Sequence, residues 1–129
     1  MEGQVICLDT NYLVRGLLKG SRESADLVRW YQSNEPLMSA APAWYEFLCG
    51  PVTIRHIQIV RGFLSGGVIG FEEVQAIEAA RLFNAVGRTR RLRTDAMIAA
   101  TAIVAGARLA TSDAEDFKAF VTHGLTIVQ

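Results

Sequence analysis

The chain has 129 residues, half of them hydrophobic and a fifth charged, with 13 basic side chains balanced by 13 acidic ones. That composition fits a single globular domain over residues 1–129, and a chain of this length buries about two-thirds of its unfolded surface on folding, enough for a core that needs no staple. It excludes a disulfide scaffold, a zinc domain built on 2 cysteines, and any whole-molecule attraction to nucleic acid. Cys7 and Cys49 both lie in apolar runs, which predicts two buried, reduced thiols and a cytoplasmic protein. Neither a signal peptide nor an apolar run long enough to span a membrane is present, so no membrane association is expected.

Gln4 to Leu8 is a short apolar run ending at Asp9, the pattern of a strand buried on both faces. Asn11 to Leu18 predicts a helix stopped at Gly20, and Ser21 is placed to cap a second helix reaching Gln32, with Leu27, Val28, Trp30 and Tyr31 as bulk. Pro36 to Ser39 is a second strand, and Pro42 suits the first position of the helix that carries Glu46. Val52 to Leu64 is helical by periodicity, Val68 to Gly70 a minimal third strand, and Glu72 to Val86 an amphipathic helix with Val74, Ile77, Leu82 and Phe83 inward. Thr94 to Ala105, rich in Ala, Met and Ile, predicts a helix buried nearly all round. Leu109 to Thr111 is a fourth strand, Ala114 to Val121 a short helix, and Leu125 to Val128 a last strand. Strands alternating with helices argue for an α/β fold with a parallel sheet and helices on both faces.

Four acids have unusual surroundings. Asp9 follows an apolar strand, Glu46 interrupts an apolar helix, Asp95 opens the most apolar helix, and Asp113 follows the fourth strand. Singly, Asp9, Asp95 and Asp113 read as helix caps and Glu46 as a solvated side chain. Jointly, Asp9 and Asp113 lie just past the carboxyl ends of strands, the edge at which open α/β sheets bind ligands. Crowded carboxylates repel one another unless protons or a cation neutralise them, and an all-oxygen donor set favours magnesium or manganese. Such a centre polarises phosphodiesters and supplies hydroxide.

Asp9-Thr10-Asn11 after an N-terminal strand, a mid-chain Glu46, the run Arg93 to Ala100 and the run Thr111 to Phe117 resemble, in order and spacing, the PIN-domain ribonucleases. The nearest likeness is to the toxin half of VapBC-type toxin–antitoxin pairs. The resemblance implies a three-layer sandwich of about five parallel strands in the order 3-2-1-4-5, hydrolysis of RNA with Mg2+ or Mn2+, a cognate antitoxin protein and a homodimer. By motif position it implies catalytic and metal-binding roles for Asp9, Glu46, Asp95 and Asp113, with Asp116 as an accessory metal ligand. Thr10 or Asn11 would hold the first aspartate, and Thr111 or Ser112 would support Asp113.

Arg88, Arg90, Arg91 and Arg93 form a local basic patch immediately before Asp95, and they are read as contacts to the RNA backbone. Two rivals stand beside the nuclease. A phosphoacceptor signalling domain would carry two adjacent acids after the first strand and a lysine after a late one, whereas Asp9 stands alone and Lys19 and Lys118 are elsewhere. A catalytically idle PIN scaffold that binds RNA or protein fits the same motifs.

Overall fold

The computed structural model describes residues 4–128. Its parallel sheet contains β1 (Ile6–Leu8), β2 (Leu37–Ala40), β3 (Gly67–Ile69) and β4 (Arg108–Ala110), ordered β3-β2-β1-β4. In register, Leu8 lies between Ser39 of β2 and Ala110 of β4. The segment expected as a fifth strand does lie beside β4, but it is reduced to one parallel bridge between Ile127 and Leu109. That bridge is held by the Leu109 N–H on Thr126 and the Val128 N–H on Leu109, each 2.8 Å. The central strands β1 and β2 are wholly buried, and the Ser39 hydroxyl satisfies itself on the Leu8 carbonyl at 2.8 Å.

Among the described residues seven α-helices flank the sheet: α1 (Thr10–Arg15), α2 (Arg22–Gln32), α3 (Ala41–Leu48), α4 (Ile54–Phe63), α5 (Glu73–Ala85), α6 (Arg93–Val104) and α7 (Ala114–Val121). Their starts follow local chemistry. Ser21 caps α2 through the Ser24 N–H at 3.0 Å, and Thr53 caps α4 through the His56 N–H at 3.1 Å. Pro42 falls one position inside α3 rather than at its first residue, still within the turn where its missing N–H costs nothing. Helix α6 runs through the centre, touching α3, α5, α7, β2 and β4, and its residues Ile98 to Ala102 are all buried.

Three expectations need correction. Helix α1 ends at Arg15, not Leu18, and leaves Val14 and Leu18 about half exposed. On α5 the inward stripe is Gln75, Ala79 and Leu82, while Val74 and Ile77 face out. The Gln75 side chain accepts the Glu72 N–H at 2.9 Å, which turns that side chain in, and small Ala79 suits close packing against the alanines of α6. Cys7 is buried as expected, but Cys49 is exposed at the end of α3.

Gly16 marks the tightest seam near the site. A Cβ there would collide with the Leu27 side chain of α2 and lie 2.5 Å from the Tyr12 carbonyl oxygen. Gly16→Ala is expected to lower stability by about 1–3 kcal/mol through overpacking, read as a reduced urea midpoint at unchanged slope.

Candidate active site

Because β1 and β4 are neighbours, the residues that follow them emerge together. The Asp9 N–H continues the pairing onto the Ala110 carbonyl at 2.9 Å, and the Asp9 side chain, only 5% exposed, turns into the gap. Its Oδ1 accepts the Thr10 N–H at 2.8 Å, capping α1. Its Oδ2 accepts the Thr111 hydroxyl at 2.7 Å and the Asn11 amide at 3.3 Å. The same Asn11 amide donates to Asp113 Oδ2 at 3.3 Å, while Asn11 Oδ1 accepts the Ser112 N–H at 3.1 Å. Thr111 also receives the Asp113 N–H on its hydroxyl oxygen at 2.9 Å. Two strand ends are thus laced by short polar side chains that leave carboxylate oxygens facing a common space.

Glu46 approaches from α3 and accepts the Thr10 hydroxyl at 2.8 Å. Asp95 approaches from the first turn of α6 and has no hydrogen bond or ion pair among the described residues. Asp9, Thr10, Asn11, Val14, Arg15, Glu46, Asp95 and Asp113 line one open cavity of about 380 Å³. A larger cavity of about 660 Å³, between α7 and residues 125–128, contains a single acid, Glu115, and none of these four.

The charges of the acids work against one another. Burial pushes the Asp9 carboxyl above its ordinary value, Asp113 and Glu46 push it further, and the Thr111 hydroxyl and Thr10 N–H oppose them. Asp95 has no such donors, and burial followed by repulsion from Asp9, Asp116, Glu46 and Asp113 raises it to about 7. Among the described residues no three His, Cys, Asp or Glu side chains stand close enough to ligate one ion jointly. The acids therefore ring a space instead of clasping a point. That suits a hard cation held by one or two carboxylates and its own waters, the usual habit of magnesium.

The helix-cap readings divide. Asp9 does cap its helix, but Asp113 at the start of α7 makes no cap bond with its side chain, which is held by Asn11 instead. The supporting side chains meet expectation in part, with Asn11 on Asp9 and Thr111 receiving the Asp113 N–H, and depart from it in three hydroxyl contacts. The Thr10 hydroxyl holds Glu46, Thr111 holds Asp9, and the Ser112 hydroxyl bonds to Glu23. Asp116 lies outside the cavity lining and pairs with Arg91 at 3.4 Å. In the basic patch, the Arg88 and Arg93 guanidinium groups each sit 5.5 Å from the centre of the Phe83 ring, and Arg93 has no ion pair among the described residues. Arg90 has no hydrogen bond or ion pair among the described residues.

Sequence reasoning passed over Glu23 and Asp26, both buried on α2. Glu23 accepts Arg15 Nε at 3.2 Å, and Asp26 accepts the buried Tyr12 hydroxyl at 2.7 Å. Their signal is positional: residues 23, 26, 27 and 30 share one helical stripe with Leu27 and Trp30, where a solvated acid does not belong.

A family model described as PIN domain matches residues 6–121, and the chain belongs to the PIN domain family. Among solved structures, it is similar to VapBC2 from Rickettsia felis bound to a DNA fragment from the promoter, at TM-score 0.74 and 18% identity, covering 97% of this chain and 98% of that one. A DNA-bound VapBC from Salmonella typhimurium gives TM-score 0.72 at 19% identity, with 97% of each chain covered. A toxin–antitoxin complex from Klebsiella pneumoniae gives TM-score 0.65 at 26% identity, covering 87% of this chain and 89% of that one. Comparison with curated proteins returned no match.

The raised carboxyl of Asp95 sets a pH dependence for the ion-free protein. Between 3.8, its ordinary value, and about 7, the folded protein holds a proton that the unfolded chain has released. Stability contributed by that proton is full below the lower value and is lost as pH rises through the upper one. The melting temperature of wild type is therefore expected to fall between about pH 4 and 7, with Asp95→Asn flattening the fall and melting higher than wild type at pH 8. Differential scanning calorimetry in chelator checks both.

Proposed function

We propose that this protein is a magnesium- or manganese-dependent ribonuclease that hydrolyses RNA phosphodiester bonds, and the toxin member of a toxin–antitoxin pair. The observation that carries the reading is the convergence of Asp9, Glu46, Asp95 and Asp113, from four separate parts of the chain, on one cavity at the carboxyl edge of a parallel sheet. An assembly in which burial, and then repulsion among the acids, raises Asp95 to about 7 is costly for a fold to retain and is suited to a cation. A bound divalent ion supplies Lewis-acid polarisation of the phosphodiester and a hydroxide nucleophile at neutral pH. The protein's part is to hold the donors. Thr111 and Asn11 fix Asp9, Asn11 fixes Asp113, Thr10 fixes Glu46, and Asp95 is left without a competing hydrogen bond. Asp116, at the rim and paired with Arg91, is the accessory acid of this arrangement.

Similarity to VapBC assemblies and to a toxin–antitoxin complex supports an antitoxin partner. A homodimer is part of the same reading, and exposed Val14 of α1 and Leu18 in the turn after it offer apolar surface for contacts between chains. No helix among the described residues is long and apolar enough to cross a membrane, in keeping with action on RNA in the cytoplasm. The idle-scaffold alternative uses the same fold and is separated from the nuclease by activity alone.

Purified protein, freed of any co-purifying partner, is expected to cleave single-stranded RNA only with added Mg2+ or Mn2+. Asp95→Asn, a near-isosteric neutralisation of a side chain that takes no hydrogen bond, is expected to lose cleavage by orders of magnitude while its circular dichroism stays native. Chelator-resistant cleavage, or full activity in folded Asp95→Asn protein, would overturn the reading.

Arg90 and Arg91 are assigned to phosphate contact: the Arg90 side chain is unpaired among the described residues, and Arg91 is held only by one exposed 3.4 Å pair with Asp116, whereas Arg88 and Arg93 both lie over Phe83. Arg90→Ala and Arg91→Ala are each expected to weaken RNA binding and to flatten the plot of log affinity against log salt by about 0.7 per lost contact on single strands. Unchanged slopes would leave this loop a structural role.

A further inference from the structure

Arg15 is the one cation among the side chains lining the acidic cavity. It closes α1, with its side chain half exposed, and its Nε donates to Glu23 Oε1 at 3.2 Å. Glu23 lies on α2 with its side chain 8% exposed, and its second oxygen is taken by the Ser112 hydroxyl. That hydroxyl, more than Arg15, holds the Glu23 carboxyl below its ordinary value, so Glu23 is charged. With Oε2 taken by Ser112, Glu23 meets Arg15 through Oε1 and not in the two-pronged mode that arginine and carboxylate often adopt. The guanidinium is therefore anchored by Nε alone, and neither of its Nη groups is bonded among the described residues.

A guanidinium anchored at one edge and free at its two Nη groups is a pre-oriented fork for an anion. The remaining charged side chains around the cavity are carboxylates, which repel any anion that approaches. We infer that Arg15 contacts a phosphate oxygen of the RNA strand entering this cavity, and that Glu23 is the positioning residue that aims it. The inference rests on the ribonuclease reading and goes beyond it in assigning a substrate contact outside the acidic motifs. Ser112 ties the contact to the acids: its hydroxyl fixes Glu23 while its N–H is fixed by Asn11, which bridges Asp9 and Asp113. The phosphate fork and the carboxylates are thus referenced to one loop.

The test measures binding of a short single-stranded RNA by fluorescence anisotropy across a salt series, in the Asp95→Asn protein so that cleavage does not intervene. Arg15→Gln is expected to weaken binding about tenfold and to flatten the log–log salt slope by about 0.7. Arg15→Lys should restore the slope but only part of the affinity, since an ammonium keeps the charge and loses the fork. Glu23→Gln retains an acceptor for Ser112 but not the charge that holds Arg15. It should weaken binding severalfold alone and add nothing in the Arg15→Gln background. Arg15→Gln protein with unchanged affinity and slope overturns the inference alone, provided wild type cleaves and the parent binds RNA. Additive effects of Arg15→Gln and Glu23→Gln overturn the positioning role. A parent that does not bind RNA, with a wild type that does not cleave it, overturns the ribonuclease reading and this inference with it.

Discussion

A carboxylate shut away from water must be solvated by the protein itself, and the arrangement around Asp9 is organised by that requirement. Its two oxygens draw on a backbone N–H from the start of α1, a side-chain amide from the very next residue, and a hydroxyl from just past the neighbouring strand. The hydroxyl is available only because β4 pairs directly with β1, in a register that sets Ala110 beside Leu8 and Thr111 just beyond. Moving β4 by one residue would turn Thr111 to the other face of the sheet and leave Asp9 Oδ2 with a single long hydrogen bond. The order β3-β2-β1-β4, more than any local motif, is what makes the aspartate tolerable.

Asp95 is the counterpart with no such provision. It sits on the helix that packs against more of the fold than any other, so α6 cannot move away from the other acids without opening the core. The repulsion stored at the cavity is therefore borne by the apolar contacts of Ile98 to Ala102, each buried. A fully buried residue of the size of Ile contributes about 1.5–3 kcal/mol, enough for the core to hold a half-buried unpaired carboxyl in place. Stability and chemistry compete here along one helix, its acidic first turn set against its apolar body.

Much of this was legible in the sequence, for identifiable reasons. Two-sided burial makes β1 and β2 read as apolar runs, and Ser21 announces its helix because a hydroxyl before a helical stripe has few other uses. The four acids stood out because each interrupts an apolar neighbourhood, and the fold gathers all four around one cavity. What periodicity could not give was rotation about a helix axis. Val74 and Ile77 looked inward on α5 because they are large, but they face out: the surface α5 packs on is alanine-rich α6, where Ala79 packs closer than valine could. Nor did local pattern assign partners. Thr10, Asn11, Thr111 and Ser112 are adjacent in pairs, yet within each pair the two side chains reach different carboxylates, and Glu23 enters the network from a helix whose solvent-facing charges conceal it.

The two cysteines, alike in their sequence surroundings, occupy opposite chemical situations. Cys7 lies in the central strand, where burial, reinforced by nearby Asp9, pushes its thiol up to about 12. Hardly any of it is thiolate at neutral pH, and no reagent reaches it. Cys49 lies exposed three positions beyond Glu46, just past the end of α3. Without any engineering, then, the molecule has a single addressable thiol, at the end of the helix that carries Glu46. A maleimide fluorophore attached there would report on ions, nucleic acid or protein arriving at that end of the helix while leaving every carboxylate untouched.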